Sequence, residues 1–403
     1  MTTLALFFVA LFLWSLVARR LEASMLTAPM VFAAAGLLIG PGVVGMELAG
    51  TDLEDVRTVG ELTLALLLFV DAARITRRSL RTGPSYAPRL LGLGMPLTIA
   101  LGFLAALVLL PELRPIEAGI LATVLAPTDA ALGQAVVSNP GVPAAVRKGL
   151  NVESGLNDGL SVPFLTLLLA IEGMHLEGRT GLFFLAVAAQ QIGLGALAGT
   201  MVGAGGGWLL RRARDRSWLG PSAAGMGALA LALLCYFAAT ALGGNGFIAA
   251  FVGGFATRWT GKDVVEHAIE FAEEEGQVLN FLVFFWLGAA AWSGLGSLGW
   301  RPIAYAVASL SVVRMLPVAL AFLGSSATLR TRLFLGWFGP RGLASIVLGL
   351  IVVEEAPMLG DQGQLGMAVA TTVLLSVLLH GATAAPLARA FGRAEGLKQD
   401  ISG

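Results

Sequence analysis

Long apolar runs alternate with short polar clusters from one end of the chain to the other. A hydrocarbon core about 30 Å thick needs about 20 consecutive apolar residues in a helix. Thirteen segments fit: Thr3–Ala18, Met25–Met46, Thr58–Ile75, Leu90–Leu110, Pro115–Ser138, Val146–Ile171, Thr180–Leu210, Pro221–Leu242, Gly246–Arg258, Gln277–Gly294, Pro302–Leu323, Leu329–Val353 and Leu365–Phe391. The pattern predicts an all-α membrane protein of about thirteen transmembrane helices. Gly246–Arg258 is the shortest of them. Leu4–Val17 has no basic residue before it, so it reads as a first span rather than a cleaved leader.

Two predicted spans carry helix breakers near mid-depth: Ala126-Pro127-Thr128-Asp129 in the fifth and Gly339-Pro340-Arg341-Gly342 in the twelfth. Proline removes a backbone donor and crowds the preceding turn. Unwound backbone at membrane depth is tolerated where it is buried or lines a cavity. Transporters place such discontinuous helices at matching positions of two inverted repeats. The count allows this: a first repeat over about 3–171, a linker helix over about 180–210 and a second repeat over about 221–391, with the broken helices crossing. The alternative is two incidental proline kinks. The seventh span also carries Gly195, Gly199, Gly203 and Gly207 at four-residue intervals. Such a stripe lets helix backbones approach closely, either inside the molecule or across a dimer contact.

Composition agrees with a membrane class. Of 403 residues, 56% are hydrophobic and 13% charged, with mean hydropathy +0.81; soluble domains carry about 25% charged residues. Net charge is zero, so nothing points to nucleic acid. With the N-terminus outside, twenty lysines and arginines fall in cytoplasmic loops and only Arg57, Arg114, Arg179 and Arg301 outside. That bias predicts N-terminus out and C-terminus cytoplasmic, hence a multi-pass protein of the cell (inner) membrane. No loop is long enough for a further domain, so we expect a single transmembrane domain without a regulatory C-terminal domain. Residues 261–275 alternate apolar and acidic faces. They read as a helix on the membrane interface or as an acidic mouth that gathers cations.

The chemistry concentrates on buried carboxylates. A charge at the bilayer centre costs about 2.5–3.5 kcal/mol on insertion scales and marks function by default. Asp129 lies in the apolar run Gly119–Ala135, and Asp158 ends Glu153-Ser154-Gly155-Leu156-Asn157-Asp158. Positions four apart share a helix face, which aligns Ser154 with Asp158 and Glu153 with Asn157. With Thr128 and carbonyls freed by Pro127, the set offers only oxygen ligands, suited to a hard monovalent cation such as Na+ at Asp158, Ser154 and Thr128. No Cys/His grouping suits a transition metal, and no cofactor is expected. One carboxylate able to hold either a proton or a cation is what an exchanger needs. Arg314 and Arg341 fall inside spans. Glu153 is the natural mate for Arg341, because an unpaired buried charge is costly. Arg314 either snorkels to a helix end or pairs with Asp71. Asp71 is either an interfacial charge beside Arg74 or part of a cation path. His380, alone in the last span, reads as a packed side chain rather than a proton relay.

At these residues the chain resembles the NhaP/NHE-type sodium/proton antiporters of the cation:proton antiporter superfamily. The resemblance rests on GLLIGPGVVG (Gly36–Gly45), LLLFVDAAR, APTDA, ESGLND, GNGFIAAFVGG (Gly244–Gly254) and GPRGLAS in that order. It implies the NhaA-like inverted-repeat fold and a homodimer in which a mobile core moves against a dimerisation domain. It implies Asp158 as the carrier, with Asn157, Ser154, Asp129 and Thr128 completing the site and Glu153 bridging to Arg341. Asn-Asp in place of Asp-Asp is associated in this superfamily with electroneutral exchange. The chain departs from the pattern at Ala72-Ala73, where relatives often have glycine.

The expectation is thus an electroneutral Na+(Li+)/H+ antiporter working by alternating access. A K+/H+ antiporter is the close rival, because small shifts in cavity size decide between the ions. A channel would pass uncoupled current. An intramembrane aspartyl protease fits poorly: in Gly155-Leu156-Asn157-Asp158 the glycine expected immediately before the aspartate is absent, and the chain reads as a transporter, not an enzyme.

Overall fold

The computed structural model describes residues 2–22, 26–40, 53–75, 86–129, 132–177, 181–296, 298–355 and 362–402. Among them, fifteen helices and no strands are formed. They are α1 (Thr2–Glu22), α2 (Ala28–Ile39), α3 (Leu53–Arg74), α4 (Ala87–Leu109), α5 (Pro115–Val124), α6 (Gln134–Val137), α7 (Ala144–Glu177), α8 (Gly181–Asp215), α9 (Pro221–Ala241), α10 (Gly246–Thr260), α11 (Lys262–Leu295), α12 (Trp300–Ala321), α13 (Leu329–Trp337), α14 (Leu343–Glu355) and α15 (Gln362–Ser402). Seven of them, α1, α4, α7, α8, α9, α12 and α15, contain segments long and apolar enough to cross a membrane, and α2, α5 and α14 are shorter apolar helices. Their outer faces are greasy. Phe8, Phe12 and Leu16 of α1, one turn apart, are each more than half exposed. Such continuous apolar surface is an aggregation hazard in water and is at home against lipid.

Starts and stops follow local chemistry. Pro29, Pro115 and Pro221 sit in first turns, where the missing N–H costs nothing. The Glu117 carboxylate caps α5 by accepting from the Arg114 amide at 2.7 Å. Asn245 Oδ1 opens α10 by accepting from the amides of Phe247 and Ile248, a strong N-cap.

Four expectations about element boundaries change. The segment Pro115–Ser138 holds α5 and the short α6, with residues 125–129 outside any helix. The segment Leu329–Val353 divides into α13 and α14 around residues 338–342. Residues 261–275 form no separate interfacial piece: from Lys262 they are the first half of the 34-residue α11, because no proline or turn separates them from the apolar half. Arg74 ties this half down with a bond from Nη1 to Glu273 Oε1 of 2.6 Å. Finally, α12 is interrupted at Ser311, whose hydroxyl bonds back to the Val307 carbonyl, a local competition that bends helices. Pro41–Gly45 of the second-span motif, Glu47, Asp52, Arg77, Arg78, Arg81, Arg179 and Asp361 lie outside the described residues.

The helices sort into two compact units. The first comprises Met1–Arg57, Gly83–Asn157 and Phe281–Gly403. Here α15 packs on α12, α14, α5 and α2. A core of Val136, Val146, Val318, Phe322, Phe334, Phe338 and Phe391 surrounds the end of α13, with Phe334 stacked on Phe391 at 4.2 Å between ring centroids. The second comprises Thr58–Thr82 and Asp158–Asn280. Its tightest pair is α8 on α10.

The glycine stripe makes that pair. A Cβ on Gly195, Gly199 or Gly203 would collide with the backbone of Asn245, Ala249 or Gly253 of the facing helix, and one on Gly207 with Thr260 and Thr257. Thr257 Oγ1 donates to the Gly203 carbonyl at 2.9 Å. The stripe therefore serves packing within one unit. We predict that Gly203→Ala destabilises the protein by about 1–3 kcal/mol through overpacking. Gly205→Ala, which meets open space, should stabilise it by up to about 1 kcal/mol through helix propensity. Thermal unfolding of the two variants in detergent checks the contrast.

Candidate functional site

The first unit folds its two interruptions against each other. After Val124 the chain leaves the helix, and Pro127 offers no N–H to continue it. The freed carbonyls of Ala126 and Pro127 accept from Arg341 Nη1 at 2.6 and 3.0 Å. Asp129 N–H donates to the Pro340 carbonyl at 2.8 Å, joining the segments backbone to backbone. The Asp129 carboxylate accepts from the Leu343 amide at 3.3 Å, so it caps the N-terminus of α14. An anion is favoured there by the helix dipole.

Thr128 links this knot to α7. Its amide donates to Asn157 Oδ1 at 3.2 Å, and its hydroxyl accepts from Asn157 Nδ2 at 2.6 Å. That leaves the Thr128 hydroxyl proton for Ser154 Oγ, 3.1 Å away. All three side chains are buried. The carboxamide thus uses both ends to clamp the broken segment. Asp158 follows Asn157 on the same helix, one turn from Ser154, and is half-buried. Its main-chain carbonyl accepts from Ser161 Oγ at 2.7 Å. Asp71, also half-buried, lies on α3 in the second unit.

The expected Glu153–Arg341 bridge does not form. Glu153 pairs with Arg314, with Nη1 to Oε1 at 2.6 Å and Nη2 to Oε2 at 2.8 Å, and both residues are almost fully buried. Arg341 is also fully buried, and its Nη1 donates to the two carbonyls instead. A two-pronged Arg–carboxylate pair is the stronger arrangement. Sequence reasoning assigned Arg314 to a helix end or to Asp71. The signal that could have corrected it is its setting, Val312-Val313-Arg314-Met315-Leu316, apolar on both sides. One further participant was missed: Ser376, whose Oγ accepts from the Arg341 amide at 2.7 Å; His380, read as a packed side chain, is buried and touches Ser376. Among the described residues no His, Cys, Asp and Glu cluster gathers as a metal site.

Comparison with known proteins places this arrangement. The family model described as "Sodium/hydrogen exchanger, transmembrane" matches residues 5–390. The chain belongs to the sodium/hydrogen exchanger family. Family members and structural relatives are ion antiporters, not enzymes, and the chain is a multi-pass membrane protein. The sodium proton antiporter MjNhaP1 from Methanocaldococcus jannaschii, solved at pH 8, shares the fold. Its TM-score is 0.74 at 21% identity, over 97% of this chain and 99% of that one. The K(+)/H(+) antiporter NhaP2 of Shewanella sp. (strain MR-4) is 29% identical over 371 residues, 89% of this chain. The Na(+)/H(+) antiporter 2 of Zygosaccharomyces rouxii is 25% identical over 316 residues, 69% of this chain and 38% of that protein. The chain matches 62% of the length of the Shewanella relative.

The buried pair yields a prediction. Glu153→Gln leaves the Arg314 guanidinium buried without its carboxylate, which should cost about 3–5 kcal/mol. Combining it with Arg314→Met removes the orphaned charge and should recover much of that loss. Unfolding of both single variants and the double variant in detergent measures the coupling, and a double-variant loss equal to the sum of the single losses would show the pair to be independent.

Proposed function

We propose that the chain exchanges one Na+ (or Li+) for one H+ without net charge movement, by alternating access of Asp158 to the two sides of the membrane. The observation that carries the reading is the oxygen cluster next to Asp158: Thr128, Ser154 and Asn157 are hydrogen-bonded to one another, and Asp158 directly follows Asn157. Glu153 is held by Arg314, the Asp129 carboxylate caps α14, and the Asn157 carboxamide is committed at both ends to Thr128. Asp158 is half-buried on an unbroken stretch of α7, beside Asn157 and one turn from Ser154. As a carboxylate it takes a cation; protonated, it has no charge to hold one. The two ligands exclude each other, so each half-cycle carries one positive charge. Asn157 is neutral and adds no second exchangeable proton, which supports electroneutrality. Ser154 and Thr128 supply hydroxyl oxygens to the cation, and Asp71 belongs to the path by which it arrives.

The same reading includes the finer architecture: thirteen spans as two inverted repeats, N-terminus out and C-terminus in, assembled as a homodimer in the inner membrane. K+/H+ exchange is the second reading, favoured by the Shewanella relatives, which are named K(+)/H(+) antiporters. All candidate ligands are oxygens, and the ions differ only in the cavity they fill.

Purified protein in liposomes with a lumenal pH dye tests both. Added Na+ or Li+ should drive a pH change that clamping the membrane voltage leaves unaltered. A response to K+ alone would favour the second reading, and silence with all three ions would sink antiport. Asp158→Asn should reduce exchange to the level of empty liposomes while its gel-filtration profile stays unchanged. Wild-type rates in that variant would remove Asp158 from the carrier role.

A further inference from the structure

In an unbroken α-helix the amide of residue 341 would donate to the carbonyl of residue 337. The interruption after α13 forbids this. A γ-turn closes over Phe338, with Gly339 N–H to Trp337 O at 2.9 Å, and the chain then turns away. The two ends of the missing bond are instead joined through α15. Arg341 N–H donates to Ser376 Oγ at 2.7 Å. Ser376 Oγ lies 3.1 Å from His380 Nδ1, and His380 Nε2 lies 2.9 Å from the Trp337 carbonyl. Nδ1 also lies 3.1 Å from the Ser376 carbonyl, so each ring nitrogen faces a carbonyl; the single proton of a neutral ring placed on Nε2 serves the shorter of the two contacts. Nδ1 then accepts from the Ser376 hydroxyl, whose lone pair receives the Arg341 amide. All donors point one way along the relay. Ser376 and His380 stand one turn apart on α15, both buried. Trp337 is anchored to the same helix a second time, by Nε1 to Thr383 Oγ1 at 3.0 Å.

We propose that Ser376 and His380 are positioning residues that splint the second interrupted helix, replacing its missing Arg341-to-Trp337 hydrogen bond. In doing so they hold Arg341 where its guanidinium grips the carbonyls of Ala126 and Pro127. Arg341 in turn fixes the segment that carries Thr128, and Thr128 meets Asn157 and Ser154. The relay therefore sets where the oxygen ligands stand, although neither of its members touches the cation. Its kinetic consequence rests on the antiport reading above; its structural half does not.

Three readouts test it. Hydrogen–deuterium exchange of the wild type, Ser376→Ala and His380→Ala should show the amides of Gly339 and of residues 341–343 opening about tenfold faster in both variants, the loss of one hydrogen bond. His380→Gln, whose side-chain amide keeps a donor for Trp337, should exchange like the wild type. Nitrogen chemical shifts of labelled histidine in the wild-type protein should show Nε2 protonated and Nδ1 bare. In liposomes, Ser376→Ala and His380→Ala should raise the apparent KM for the cation about tenfold through misplaced ligands, with His380→Gln within about twofold of wild type. Unchanged amide exchange, a protonated Nδ1, or a His380→Gln as impaired as His380→Ala overturns the splint. A wild-type KM in a variant whose amides open faster overturns its link to transport. Silence of the wild type with every cation sinks the antiport reading, while the exchange and nitrogen data still decide the splint.

Discussion

The grip of one guanidinium on two carbonyls holds the first unit's interior together. Proline at position 127 ends a helix inside an apolar interior, and every carbonyl it frees there must find a donor. Arg341 Nη1 serves both Ala126 and Pro127, and the residue beside it, Pro340, receives the Asp129 amide. Each interruption is thus repaired by the other. Neither segment has a complete set of partners alone, so the broken helices are stable only as a pair.

This arrangement sorts the buried charges by task. Glu153 and Arg314 neutralise each other in a closed, two-pronged contact. Asp129 is fastened to the start of α14, where its charge meets aligned amides. Asn157 is fastened to Thr128. Groups held this way resist movement, which suits a frame.

Much of this was readable from residue order, and the exceptions have physical causes. Pro127 and Pro340, each beside small residues in an apolar run, announced both breaks. Four-residue spacing announced that Gly195 to Gly207 would press against a neighbouring helix, because a missing Cβ is visible in sequence. Thr128, Ser154 and Asn157 were named as a set and do meet. The partner of Glu153 was not legible. Two arginines lie at membrane depth, both of the right sign, and choosing between them requires knowing which one the backbone has already claimed. Pro127 announced that carbonyls would be freed but not which donor would take them, so the claim of Ala126 and Pro127 on Arg341 was invisible. The same blindness hid Ser376 and the contacts of His380, whose partners are mostly main-chain atoms. Helix ends were misplaced where a polar segment continued a helix without a breaker, as in α11.

The α8–α10 contact has a consequence for how this chain can drift. When two side chains collide, trimming one often rescues the enlargement of the other. At Gly195, Gly199 and Gly203 the facing atoms belong to the backbone of α10. No substitution on α10 makes its backbone smaller. A methyl group added at any of these positions therefore has no second-site remedy on the opposing helix, and relief requires the helices to separate. Compensating pairs across this seam should be missing from any collection of functional variants, even where paired changes are common in the cores around it.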